Sequence, residues 1–517
     1  MSRISSAAAN TLLLEQIFRT QRRVVDRQIQ VTTEKKSQDY QGIADDSRRL
    51  VNLENERALL NRYIQTNEQV DIRLQIQETA LEGMQDVIKD FRSDLLNYAS
   101  GEKRDSERTA FIQARAVDAL KSMNFLLNTE IEGRYIFAGA RLTEAAVNID
   151  ISTLSGFQST YDGAGVKVQE TRGAHLDDFS FSANPADGDT TWLQFERTNA
   201  GSGLSRITAV GDTFKNINVG STITVTGTAN NNGTYTVSAV DTTNGLFLDL
   251  VTEELPTASV TQGGTLTFRD PTDVTKEIVV SDSFTSNATE DQLTYTNDQI
   301  DALPVGSKFT VAGTAGLNGS YTVSAIDTTT NTITIETTRL TDEGATTDQA
   351  GTISATSYYK GDGLTRTHRV DDDRSFELDL SAQDAAFEKA IRAMKIIAQG
   401  VYGSEGGLDN NPDRATDAMY LLDSALERTV AGTPPYGTEL SSNIEQIQID
   451  TGFKRVLIDD VNRLHKDFIG FLEGSISQME NTDSTETITK MLDDQRALEA
   501  SFQVFARIRQ LSLTNFV

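Results

Sequence analysis

The side chains best suited to acid–base or metal chemistry are the three histidines, His175, His368 and His465, and their spacing decides whether such chemistry is available. None has a second histidine four residues away and no His-Glu-x-x-His occurs, so a zinc hydrolase would lack its ligands. Asp45-Asp46 and Asp371-Asp372-Asp373 offer oxygen ligands without the alternating Asp/Asn and closing Glu of a calcium loop, and are expected to cap turns or helices. Gly201-Ser202-Gly203 and the run from Gly400 to Gly407 lack the lysine and helix start of a phosphate loop and read as linkers. There is no cysteine, which removes thiol nucleophiles, thiolate metal sites and disulfides together. No catalytic, metal-binding or cofactor-binding residue is assigned, and the expectation is a protein that is not an enzyme.

What the chain does must then lie in how it is built. At 517 residues it exceeds the size at which one core usually splits, which predicts two to four domains. Lys and Arg total 47 against 75 Asp and Glu, a formal charge of -28 that repels phosphate backbones and anionic lipid. Nucleic acid and membranes are therefore excluded as expected partners. The run Leu12-Leu13-Leu14 is cut at once by Glu15 and Gln16, too short for a signal-peptide core, and no run of 18 apolar residues follows. The expectation is a chain that is intracellular, or exported without a cleaved signal.

Both ends read as helices and the middle as strands. Leu53, Leu60, Asn67, Leu74, Leu81, Ile88 and Leu95 recur every seven residues, with Tyr63, Val70, Gln77, Met84, Phe91 and Tyr98 as the companion row. That is the a/d pattern of a coiled coil, and the rod core is assigned to Leu53, Leu60, Leu74, Leu81, Ile88 and Leu95. A second helix is expected over about 106–129, answered in the C-terminal part by Phe387, Ile391, Met394 and Ile397 and by Ile447, Val461, Leu464, Phe468 and Phe471. Helical regions that lack complete cores of their own would pack together as one bundle.

From about Thr143 to Asp373 the texture turns to Thr, Gly, Asn and Val in short alternating runs. This stretch contains a duplication: residues 219–243 match 305–329 at 18 of 25 positions, without a gap. Each copy centres on an Asn-Gly turn, Asn232-Gly233 and Asn318-Gly319, the signature of a hairpin. Gln262-Gly263-Gly264-Thr265 is echoed by Gln349-Ala350-Gly351-Thr352. Two all-β modules, sandwich or barrel, are predicted as solvent-facing insertions.

The extreme ends carry amphipathic stripes. Ile4, Leu14, Ile17, Phe18, Val25 and Ile29 form one, and Ile488, Leu498, Phe502, Phe505, Ile508 and Leu511 the other. Weak caps and many Gln and Arg residues leave such helices poorly stabilised alone, which predicts an assembly interface.

With these features in view, the ends of the chain resemble the flagellin superfamily, whose two termini build a coiled-coil rod around variable insertions, over roughly residues 1–140 and 376–517. Ile131 to Gly139 is similar to the Gly-Arg-Tyr-x-Phe-Ala-Gly segment of hook-filament junction proteins, matched here by Gly133, Arg134, Tyr135, Phe137, Ala138 and Gly139. Tyr359-Lys360-Gly361-Asp362 resembles the family's following turn, and Ile43-Ala44-Asp45-Asp46 its bend, with Ser47 where proline is common. The ending Leu511 to Val517 resembles the family's C-terminus, while Val87 to Tyr98 lacks the Gln-Arg-x-Arg-Glu-Leu of many filament flagellins.

The resemblance implies a multidomain α plus β chain. Residues 1–45 and 485–517 would form a terminal helical assembly domain, and 46–140 with 376–484 the coiled-coil rod. The middle lies outside the resemblance and is read from its texture and duplication as a β linker at 141–189, β modules at 190–270 and 277–356, and a return strand or linker at 357–375. The resemblance also implies a structural subunit of the bacterial flagellum, exported through the type III apparatus, extracellular, and joining hook to filament. The implied partners are copies of itself in a helical or ring assembly, the other hook-associated protein, flagellin and an export chaperone; no cofactor is implied. Filament flagellin, and a β-rich adhesin on a coiled-coil stalk, are the alternatives.

Overall fold

A computed structural model describes the chain except residues 1, 40–43, 102–104, 150, 163–165, 186–189, 198–203, 252–261, 271–272, 288–290, 306, 315–316, 318, 336–349, 404–405, 410, 428–429, 431 and 515–517. The fold is mixed α and β and divides into two compact units. One takes residues Met1–Ile72, Arg369–Phe376 and Lys454–Val517; the other takes Arg73–His368 and Glu377–Phe453.

The first unit is helical, built from α1 (Ser2–Thr33), the start of α2 (Ala44–Ala99), most of α8 (Ile444–Glu480) and α9 (Ser484–Thr514). Leu60 of the predicted a/d row is buried and Leu53 half-buried, with Leu50, Ile64, Ile458, Val461, Leu472 and Ile476 completing the apolar interior. The polar break in the row has a structural use. Asn67 is fully buried and its Nδ2 donates to Asn462 Oδ1 (2.8 Å) and to the Val370 carbonyl (3.1 Å). The acidic triplet closes a turn, Asp371 Oδ1 accepting from the Asp373 and Arg374 N–H groups (2.8 and 2.6 Å).

In the second unit the row continues with Leu74, Leu81, Ile88 and Leu95, all buried. From Leu81 onward it is part of a multi-helix core with α3 (Ser106–Leu127), α6 (Ala385–Ala398) and α7 (Asp413–Leu426). Here the seam has several partners at once, with helices from both halves of the chain sharing one core. Short α4 (Leu154–Thr160) and α5 (Arg172–Leu176) cover α3 and α6. Asp105 starts α3 by accepting from the Arg108 N–H, and Asp384 starts α6 by accepting from that of Ala386. Gly400 has φ +80° and a Cβ there would lie 1.9 Å from the Gly406 carbonyl oxygen, so the backbone at these two glycines is in close contact.

Beyond the hairpin of β1 (Glu130–Ile131) and β2 (Arg134–Tyr135), the strands are β3 (Phe179–Ala183), β4 (Leu193–Glu196), β5 (Arg206–Ala209), β6 (Thr222–Thr226), β7 (Gly233–Val240), β8 (Phe247–Leu250), β9 (Gln262–Asp270), β10 (Asp273–Asn287), β11 (Gln292–Thr294), β12 (Lys308–Ala312), β13 (Gly319–Asp327), β14 (Thr332–Ile335), β15 (Gly351–Ala355), β16 (Arg366–Arg369) and β17 (Ser375–Leu378). One sheet runs β3-β15-β6-β7-β8-β5-β4, and a closed barrel runs β10-β11-β14-β13-β12-β9.

Pairing groups these strands differently from the expected 190–270 and 277–356 modules. β9 follows the first copy in sequence yet pairs with β12 of the second, Leu266 opposite Val311. β15 follows the second copy and pairs with β6 of the first, Ile353 opposite Val225. Thr265 and Thr352 occupy equivalent places, against Ala312 and Thr226. The barrel is thus inserted between β8 and β15 of the other sheet, each copy completed by the other's closing strand. The two differ at one strand: β10 is continuous, pairing with β9 through Phe284 and with β11 from Thr285, which closes the ring. In the first copy that role is split between β3 and β4, at opposite ends of the sheet order.

Candidate assembly surface

The terminal helices α1 and α9 pack on each other in the first unit. Arg23 pairs with Asp494 (3.0 Å) and Lys35 bridges Asn481, so the two helices run antiparallel. Asp483 Oδ1 accepts from the Thr485 and Glu486 N–H groups (2.9 and 3.1 Å), which caps α9.

Of the predicted interface residues, Ile17 is buried with Thr20 and Thr487, while Ile29, Leu498, Phe505 and Ile508 are half-buried. Leu14, Phe18, Val25, Ile488 and Phe502 stand in solvent, Phe18 56% and Phe502 50% exposed. Ile4 and Leu511 belong to the helical backbones, with side chains outside the described residues, as are Ile43 of the bend and Asn515 to Val517 of the ending. The spacing argument missed Leu12, Leu492 and Val504, which are also exposed. Leu12 was visible in the Leu12–Leu14 run, but a stripe counted at three- and four-residue steps passes over it. Phe18, Gln21, Arg22, Val25 and Asp26 line a shallow hollow on α1. A pair of helices with this much apolar surface in water can gain roughly 25 cal/mol per Å² by covering it.

The second unit brings two distant motifs together. Glu132 (φ +52°) and Gly133 (φ +72°) make the tight turn between β1 and β2, a pair of left-handed positions that suits glycine. Arg134 at its edge is exposed and Tyr135 half-buried. Phe137 is fully buried, edge-on to Phe387 with centroids 6.0 Å apart, and its carbonyl accepts from the Ala382 N–H (2.8 Å). Ala138 is buried and its carbonyl accepts from the Asp362 N–H (3.3 Å). Gly139 has φ +69°, and a Cβ on it would sit 2.4 Å from the Asp362 carbonyl oxygen. Asp362 Oδ1 accepts from the Ala140 N–H (2.7 Å), while the Tyr359 hydroxyl donates to the Asp362 carbonyl (2.6 Å). The segment from Gly133 to Gly139 and the turn from Tyr359 to Asp362 therefore form one lock where the chain leaves and re-enters the helical core.

Sequence reasoning also missed a buried ionic centre on α6. Arg392 donates to Glu388 (Nε to Oε1, 2.9 Å), to Glu439 (2.7 Å) and to the Glu170 carbonyl (2.6 Å). Glu388 Oε1 lies 2.9 Å from His175 Nδ1, and Lys395 Nζ lies 3.0 Å from His175 Nε2. An ammonium on Nε2 and a carboxylate on Nδ1 select the neutral Nδ1–H tautomer. Burial, with Lys395 beside it, accordingly holds the His175 pKa down at about 4. Lys389 donates to the Ser424, Leu440 and Ser442 carbonyls and is lowered by desolvation to about 8. Glu388 at i and Arg392 at i+4 were legible as a helix pair, but their complete burial was not. Each of these charged groups is met by protein partners. Among the described residues no cluster of acidic, His or Cys side chains could hold a metal ion, and no helix is long and apolar enough to cross a membrane.

No protein-family profile and no curated protein matches the chain. Among solved structures it is similar to a flagellar hook-associated protein from Vibrio parahaemolyticus, at 26% identity and TM-score 0.20 over 22% of this chain, a match spanning only 49% of that protein. It is similar to Xanthomonas campestris FlgL at 11% identity and TM-score 0.29, over 81% of this chain and 98% of that one. A third is flagellar hook-associated protein 3 from Legionella pneumophila, at 12% identity and TM-score 0.28, over 84% and 98%. With TM-scores this low, the chain's own residues carry the functional reading.

Proposed function

We propose that this protein is a structural subunit of the bacterial flagellum that joins hook to filament, assembling through α1 and α9. The observation that carries this reading is the terminal pair itself: Leu12, Phe18, Val25, Leu492 and Phe502 are exposed on helices formed from the two ends of the chain. The resemblance of Gly133 to Gly139 to the junction-protein motif supports it. That segment is tied here to the turn at Asp362 where the chain returns from the β region. The heptad row of α2 supports a coiled coil in the subunit's rod. On this reading the β modules face outward, the chain is exported unfolded with the help of a chaperone, and its neighbours are copies of itself, the other hook-associated protein and flagellin.

A junction subunit needs one end matched to a different protein, whereas a filament subunit repeats one heterologous contact without closing. Purified protein given sheared filament seeds or mild salting-out should form at most short oligomers. Deletion of its gene should leave hooks in place while flagellin leaks into the medium. Micrometre-long filaments grown from this protein alone would reassign it as flagellin.

A further inference from the structure

The chain leaves α1 and enters α9 through two short connections, and these are tied to each other. Lys35 and Asn481 face one another across an isolated antiparallel bridge. The Lys36 N–H donates to the Glu480 carbonyl (2.7 Å) and the Thr482 N–H to the Glu34 carbonyl (2.9 Å). Lys35 Nζ also pairs with the Glu480 carboxylate, and Gln30 Nε2 donates to the Lys36 carbonyl (2.8 Å), fastening the connection to the last turn of α1. Glu34 sits at φ +59°, a left-handed conformation that a residue with a side chain adopts only where its surroundings hold it.

We propose that this bridge is a strap that makes the α1–α9 pair one hinged body, so that both ends of a subunit enter the assembly together. The proposal rests on the assembly role given above for that pair. Two independent connections would let each helix swing and dock alone. Joined by two main-chain hydrogen bonds and an ion pair, they leave one shared hinge. Arg23–Asp494, further along the pair, holds the helices in the same antiparallel register.

The bonding pattern makes Lys35 and Asn481 a non-hydrogen-bonded antiparallel pair, whose Cα atoms lie about 4.5 Å apart, within disulfide reach. Because the chain has no cysteine, K35C/N481C allows a single cross-link. In dilute full-length monomer it should oxidise at least about tenfold faster than a K35C/T489C control, reflecting its higher effective concentration. The oxidised protein should then form the same short oligomers, and incorporate at hook ends, as well as the reduced one. Cross-linking no faster than the control overturns the strap, whatever assembly does. Fast cross-linking with assembly lost only in the oxidised form overturns joint entry, because the helices must then part. If both redox forms of the variant fail to assemble, wild-type hydrogen exchange decides: joint protection of the Lys36 and Thr482 amides, free and assembled, upholds the strap, and unprotected exchange overturns it. Wild-type protein that forms no contact at a hook end refutes the assembly role alone, since the cross-linking rate still reads the strap.

Discussion

In α6, Glu388, Lys389 and Arg392 have no surface in water, whereas in α1 and α9 Phe18 and Phe502 keep about half of theirs. Each region inverts the ordinary distribution, charge outside and phenylalanine inside. The difference lies in partners. Glu388, Lys389 and Arg392 each meet a protein group of opposite sign or a carbonyl, and those contacts offset the desolvation that burial imposes. The terminal phenylalanines have no such completion within the subunit. A buried charge with all its partners marks a finished interior, whereas an unburied aromatic stripe on paired helices is apolar surface left in water, which is what the proposed assembly role would cover.

The finished side breaks with the largest effect. Arg392→Met keeps most of the side-chain volume but strands the Glu388 and Glu439 carboxylates, and removing one partner of a buried pair typically costs about 3–5 kcal/mol. Denaturant unfolding of the second unit, followed by hydrogen exchange on α6 amides, should show a loss of that order. A loss below about 1 kcal/mol, the range of exposed pairs, would place the centre in reach of water and remove the contrast.

How much of this could be read beforehand depends on how local each feature is. Leu60, Leu74, Leu81, Ile88 and Leu95 lie inside because a 3.5-residue period in one helix is a property of nearby residues. The duplicated hairpins are local as well, Thr224 opposite Thr234 in the first copy and Thr310 opposite Ser320 in the second. Which sheet edge takes β9 or β15 is settled by strands far away in sequence, so the exchange between copies was not legible. For α6, spacing picked out Phe387, Ile391, Met394 and Ile397 and passed over Glu388, Lys389 and Arg392, because their partners, His175, Ser424 and Glu439, arrive from three other segments. At the ends, spacing picked out Phe18 and Phe502 but could not say that Ile17, alone among the described residues of its stripe, would be fully buried.

Acid should test the same centre more gently. His175 has its pKa lowered to about 4 by burial, against an ordinary value near 6.5, so the unfolded chain binds a proton that the folded chain refuses. Stability is therefore complete above about pH 6.5, declines as pH falls toward 4, and changes no further from this group below that. The total is roughly 3 kcal/mol at 1.36 kcal/mol per pKa unit. His368, lowered by burial, adds a slope of the same sign, so the informative quantity is a difference. In His175→Asn, an amide can keep a donor near Nδ1 but cannot titrate. The variant should be less stable at pH 7 and should lose the excess slope between about pH 6.5 and 5.5, above the range where Glu388, held low against desolvation by its His175 hydrogen bond and Arg392, contributes a slope of its own. Parallel pH profiles for the two proteins would show that the imidazole is solvated.

The smallest effect on folding is expected at the most important surface. Phe502→Ser removes an aromatic ring that already has half its area in water, and substitutions of that kind usually move stability by less than about 0.5 kcal/mol. Ile17→Ser introduces a hydroxyl into the buried side of the terminal pair and should cost about 2 kcal/mol or more. In assembly the ranking reverses for Phe502. Covering its exposed half with a neighbour stabilises each contact by about 1 kcal/mol, and the loss recurs in every subunit of a ring or helical layer. Phe502→Ser should therefore unfold like wild type in dilute solution yet fail to join hook ends or form oligomers, measured by sedimentation and by microscopy of isolated hooks. If Phe502→Ser instead melts the monomer as Ile17→Ser does, the aromatic stripe belongs to the subunit's own interior. The contrast with α6 would then be one of degree, and the partner-binding surface would have to be sought on other exposed apolar residues of the first unit, such as Phe468 and Phe471.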